Sequence, residues 1–272
     1  MTKVISLIYI VTAVLWVILT VATNHSEHVL GLYMQILLFL VPFLGAVVGL
    51  KNASLWGGFK SAVGKAIIFL SLGTLTWSIG MLIWNYFIFI AGVEVPYPSW
   101  ADAAFILSWP LWTLGVVYLS KATGVRFALQ RLKGKAMLFI VPIITVIASY
   151  YLLIVVGRGG VIELEGISGL QLSFDLFYPI GSAVILAMAL TFFSLSLDFL
   201  GGKYKAPIIM LIAGFLINYL SDFIFSYTTT NETYFNGHFV DFLFLTAMYF
   251  LAMSLSKMSP IANDKATVQP IT

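Results

Sequence analysis

The chain has 272 residues, 61% of them hydrophobic and 9% charged, with a net charge of +3 and a mean hydropathy of +1.02. A soluble domain carries about a quarter charged residues, so this composition excludes a water-soluble globule and a disordered chain. The absence of Cys excludes a disulfide scaffold, a thiolate metal site and a cysteine nucleophile. The 14 basic residues are scattered between apolar runs and form no nucleic-acid patch.

A helix crossing the hydrocarbon layer needs about 20 apolar residues. Such runs fall at 4–22, 29–50, 66–91, 101–119, 136–156, 170–199, 207–227 and 239–255. The segments between them are short and rich in Gly, Pro, Ser, Asn and charge, as boundary loops should be. None alternates apolar and polar residues as a barrel strand would. The expectation is an all-α polytopic transmembrane bundle of eight helices, one domain over 1–257. The polar tail 258–272 reads as disordered.

Lys3, Lys51, Lys60, Lys65, Lys121, Arg126, Arg131, Lys133, Lys135, Lys203, Lys205, Lys257 and Lys265 all fall on one side if the termini share it. Only Arg158 lies opposite, where Glu163 and Glu165 are its nearest counter-charges. The positive-inside rule then puts both termini in the cytoplasm, for a multi-pass protein of the cell membrane. Lys3 and the first apolar run also resemble a signal peptide. The length of that run and the poor cleavage site at Ala22-Thr23-Asn24 favour a retained helix. The basic stretch 126–135 either sets topology or lies on anionic headgroups.

Eight helices with both ends on one side divide into two halves of four with the same orientation. Pro98-Ser-Trp-Ala-Asp102-Ala-Ala-Phe105 opens helix four, and Gly237-His-Phe-Val-Asp241-Phe-Leu-Phe244 opens helix eight. Each has an aromatic residue two before the Asp and a Phe three after it.

Carboxylates within spans are costly and usually functional. Asp102, Asp175, Asp222 and Asp241 all fall toward the external helix ends. Ser99-Trp-Ala-Asp102 reads as a capping box, and Asp241 lies in a first helical turn, so capping is an alternative to ligand binding for both. Asp175 sits deeper in helix six and is less well explained by capping. Asp222 lies near a helix C-terminus, where the dipole disfavours it. It shares one face with Asn218 and Ser226 at i−4 and i+4. It must be protonated, paired or binding a cation.

His25-x-x-His28 and His238-x-x-Asp241 have spacings that suit a divalent cation, although solvated loop histidines would look the same. Trp84-Asn85-Tyr86 either lines an external pocket or joins the interfacial belt, to which Tyr178, Tyr219 and Tyr234 are also assigned. There is no His-Glu-x-x-His, no Gly-x-Ser-x-Gly and no phosphate-binding glycine loop, so an enzyme is the least favoured reading, and no cofactor beyond a divalent cation is expected.

Pro96-Tyr-Pro98-Ser99-Trp-Ala101-Asp102 resembles the P-x-P-S-x-A-D element in multi-pass sensory regions of some bacterial diguanylate cyclases and related signalling proteins. Asp175-Leu-Phe-Tyr178-Pro179 resembles their D-x-x-Y-P element, and Leu220-Ser-Asp222 a third. The resemblance spans roughly residues 84–249 and implies an extracytoplasmic-facing sensory bundle. No cyclase or kinase follows helix eight here, so sensing would need a separate cytoplasmic partner.

The functional expectation is a receptor-like or sensory membrane protein. An externally open pocket of Asp222, Asn218, Asp175, Asp241, Asp102, Asn85 and Tyr86 would take a cation or small ligand. The bilayer is the other expected partner. A proton- or cation-coupled transporter using Asp222 is the first alternative, and an integral membrane enzyme the second.

Overall fold

Long apolar runs satisfy their backbone polar groups only by closing into helices, and the computed structural model is built that way. It describes residues 1–22, 32–123, 130, 132–156, 159–160, 169–196 and 204–260. The helices are α1 (Thr2–Ala22), α2 (Tyr33–Leu55), α3 (Ala62–Asn85), α4 (Trp100–Ala122), α5 (Leu132–Tyr150), α6 (Gly169–Ser196), α7 (Lys205–Thr230) and α8 (Phe239–Lys257). Single π-helical turns, Tyr86–Ala91 and Tyr151–Val156, extend α3 and α5. Seven of the eight helices are long and apolar enough to cross a membrane, and the described apolar stretch of α6 is Ile180–Leu195. No strand occurs among the described residues. The chain is an all-α multi-pass membrane bundle.

Local chemistry sets the helix starts. The Ser61 hydroxyl accepts from the Gly64 N–H at 2.8 Å and opens α3. Ser99 and Asp102 form the expected capping box at α4. His238 caps α8, its Nδ1 accepting from Val240 N–H at 3.5 Å. Gly57 stops the chain after α2 in the left-handed region, at φ 83°, which a residue with a Cβ rarely adopts.

Six helices pack in a closed order, α2–α3–α4–α6–α7–α8, with α8 returning to α2. Outside this ring, α1 lies on α8 and α2, and α5 on α6. Advancing each helix by four maps the ring onto itself. Lipid tails are as apolar as the side chains, so these contacts depend on close van der Waals fit. The fit repeats. A Cβ on Gly73 would stand 2.5 Å from Trp112 and 2.9 Å from the Ser108 carbonyl. One on Gly214 would stand 2.7 Å from Leu251 and 3.2 Å from the Ala247 carbonyl.

The same step of 139 residues separates Asp102 from Asp241, Ser108 from Ala247 and Trp112 from Leu251. The glycine pair sets the register of α3 against α7, in which Ile67-Ile68, Leu70 and Leu75 match Ile208-Ile209, Leu211 and Leu216. Phe105 and Phe244, the two Phe of the sequence repeat, both meet Trp77, at ring distances of 5.5 and 6.0 Å. The two halves therefore run in the same sense. α1 joins the second half through Tyr9 to Thr246 at 3.0 Å, Ser6 to Tyr249 at 3.2 Å and Trp16 Nε1 to the Gly237 carbonyl at 3.0 Å.

Candidate functional site

Three of the four singled-out aspartates have described side chains, all at the bundle end opposite the termini and all buried: Asp102 is 4% exposed, Asp222 8% and Asp241 3%. They do not converge in one open recess. Asp102 and Asp222 are joined through α6, and Asp241 belongs to a separate group on α2 and α8.

Asp102 is held from two sides. Its Oδ2 accepts from the Ser99 backbone N–H at 2.6 Å and the Ser99 hydroxyl at 3.1 Å. Its Oδ1 accepts from the Tyr178 hydroxyl on α6 at 2.5 Å. The Tyr178 ring in turn meets Trp109 edge-on at 5.4 Å.

Asp241 is arranged alike. Its Oδ2 accepts from the Gly237 backbone N–H at 2.7 Å and from Gln35 Nε2 on α2 at 2.6 Å. Its Oδ1 accepts from the Tyr234 hydroxyl at 3.0 Å. Burial and the adjacent carboxylate push the Tyr234 phenol well above its ordinary value of 10.0, so it stays a donor. Each half thus ends on a helix whose first-turn Asp takes one backbone N–H locally and one side-chain donor from the second helix of the other half. Both carboxylates also lie at the favourable end of a helix dipole.

Asp222 has none of these supports. Its Oδ2 accepts from Asn218 Nδ2 at 3.1 Å and from the Ser182 hydroxyl, one turn after Tyr178 on α6. Its Oδ1 accepts nothing among the described residues, and the buried Asn218 Oδ1 has no donor either. Every described Lys sits at the opposite ends of the helices, so none of them offsets the charge. Asp222 also lies toward the negative end of the α7 dipole. In the register set by Gly73 and Gly214, Asn218 and Asp222 take the places held in α3 by Trp77 and Met81. The first half is apolar there, and the second carries a carboxylate.

Of the remaining candidates, Asn85 Nδ2 donates to the Gln35 carbonyl at 2.9 Å, while its buried Oδ1 has no partner among the described residues. Tyr86 is 51% exposed, on the outer surface of the π turn. Asp175 belongs to α6, but its side chain lies outside the described residues, as do His25, His28 and Arg158 in full. His238 serves α8 as a cap among Phe235 and Phe239. No group of three metal-ligating side chains occurs among the described residues.

Sequence reasoning passed over Gln35, Ser182 and the phenols of Tyr178 and Tyr234. An amide in the first turn of the apolar helix α2 is the signal that could have found Gln35. The two tyrosines are hydrogen-bond partners of carboxylates as well as members of an aromatic layer.

Fold and site together define a multi-pass helical membrane protein of two four-helix repeats, with buried carboxylates at one end. Comparison with family models, curated proteins and solved structures gives no match to the chain.

Proposed function

We propose that the chain is a receptor-like or sensory protein of the cell membrane with both termini cytoplasmic. Its site is the group formed by Asp222, Asn218 and Ser182 between α6 and α7, reached from the outer face. The observation that carries this reading is the excess of acceptors there. The buried Asn218 Oδ1 lacks a donor among the described residues, and the Asp222 carboxylate meets there only the Asn218 amide and the Ser182 hydroxyl, with no described Lys beside it. Low-dielectric surroundings penalise such a site until a donor arrives. The ligand class is therefore a cation or a small molecule rich in N–H or O–H groups, with Asp222 as its counter-ion.

Two further observations support the reading. The three elements resembling bacterial sensory regions lie around α6, through Asp102 with Tyr178 and Asp222 with Ser182. The described Lys residues gather at the terminal ends, which is the positive-inside pattern. Output would pass from those ends to a cytoplasmic partner.

Thermal unfolding in detergent against a panel of inorganic and organic cations tests the reading. At least one should stabilise the wild type and not Asp222→Ala. Cation flux in liposomes that Asp222→Asn abolishes would replace it with a transporter. Orientation is tested by single cysteines, since the chain has none. Glu94→Cys and Glu232→Cys should react with an impermeant maleimide in intact cells, and Lys60→Cys should not.

A further inference from the structure

The two halves differ in how their first helix packs. α1 lies on α8 with Tyr9 and Trp16 stacked on Phe242 at 6.2 and 4.8 Å. Its counterpart α5 should lie on α4 by the same rule. Instead, α5 leans on α6, and Ser149 accepts from Tyr219 of α7 at 2.9 Å. A groove of about 830 Å³ is left between α4, α5 and α6.

Its walls are mostly carbon. Val116, Val146, Ala183, Ala187 and Phe192 are representative. Three of the lining hydroxyls are spent on their own helices: Ser120 on Val117, Ser149 on Thr145 and Thr191 on Ala187, at 2.7, 2.7 and 2.6 Å. Along α6 the groove runs from Ile180 to Leu195, about 22 Å at 1.5 Å per residue. That is long and narrow, parallel to the lipid tails.

One end is positively charged. Lys121 lies a turn beyond Val117 on α4, its Nζ 5.0 Å from the centre of the Tyr118 ring, and Lys135 lies a turn before Leu138 on α5, so both lie one turn beyond lining residues. Both are exposed. We infer that an anionic membrane lipid fills this groove, an acyl chain against α6 and its phosphate between Lys121 and Lys135. The lipid takes the place of the helix contact that α1 makes in the other half. A basic pair beside an apolar cleft at the helix ends is the arrangement that holds lipid phosphates.

The test uses the full chain purified in mild detergent. Phosphatidylglycerol in mixed micelles should raise the melting temperature by about 4 °C, and phosphatidylcholine by less than half as much. Lys121→Gln with Lys135→Gln should remove the difference without altering helix content, because both side chains are exposed. A photoreactive phosphatidylglycerol should label peptides holding Ala183, Ala187 or Thr191 in preference to the exposed face of α1 at Leu7 and Val14. Equal stabilisation by both lipids, persistence of the preference in the double variant, or uniform labelling would overturn the assignment. So would a dimer, formed without lipid, that buries the groove.

Discussion

Tyr178 on α6 donates a 2.5 Å hydrogen bond to Asp102 at the start of α4. That bond ties the two halves together at the outer end. Tyr178→Phe keeps the ring against Trp109 and removes only the hydroxyl. Unfolding in mixed micelles should show a loss of about 0.5–1.5 kcal/mol, the usual worth of a buried polar contact between membrane helices. A double-mutant cycle with Asp102→Asn should recover that value as coupling. Strict additivity would mean the bond does not form.

The buried carboxylates should respond unequally to substitution. Asp241→Ala strands the donors of Gln35, Tyr234 and Gly237 and should cost about 3–5 kcal/mol. Asp222→Asn removes a carboxylate that no described Lys offsets while keeping a side-chain oxygen within reach of the Ser182 hydroxyl. It should change stability by less than about 1 kcal/mol. Equal costs for both would contradict the distinction between a structural acid and an uncompensated one.

The repeat makes a matched prediction for its two glycines. Gly73→Val and Gly214→Val both drive a branched side chain into a facing helix, and each should cost about 1–3 kcal/mol. Ile144→Leu on the lipid face of α5, 60% exposed, should cost almost nothing. A large loss at one glycine with none at the other would break the equivalence of the α3–α4 and α7–α8 interfaces.

His238 gives the outer end a pH dependence. Burial lowers its value from the ordinary 6.5. The unfolded chain therefore binds a proton first, so stability is complete above about pH 6.5 and falls as pH drops toward the lowered folded value. Protonation also removes the acceptor that caps α8 at Val240. The melting temperature should decline from about pH 6.5 to about pH 5, and the decline should be smaller in His238→Asn, which retains a capping oxygen. An identical decline in that variant would assign the dependence to other groups.

Much of the fold was legible because the bilayer imposes one requirement on every span. The runs at 66–91 and 239–255 correspond to α3 with its π turn and to α8 within a few residues, since hydropathy and the Ser61 and His238 caps agree there. The capping box of Asp102 was readable from the Ser99-x-x-Asp102 spacing. The partners of the acids were not readable. Gln35 and Asp241 stand far apart in sequence, and only the closing of α8 against α2 brings them together. Asp222 was conspicuous for its place near a helix C-terminus. That Trp77 and Met81 hold the corresponding places in α3 became evident only when the glycine contacts fixed the register.

Infrared difference spectroscopy of the carboxyl stretch, recorded on adding a stabilising cation to the reconstituted protein, addresses the Asp222 site most directly. One carboxyl band should change in the wild type and in Asp102→Asn, and the change should vanish in Asp222→Asn. A cation-induced band that survives Asp222→Asn, or the absence of any such band across the cation panel, would contradict the assignment of ligand binding to Asp222.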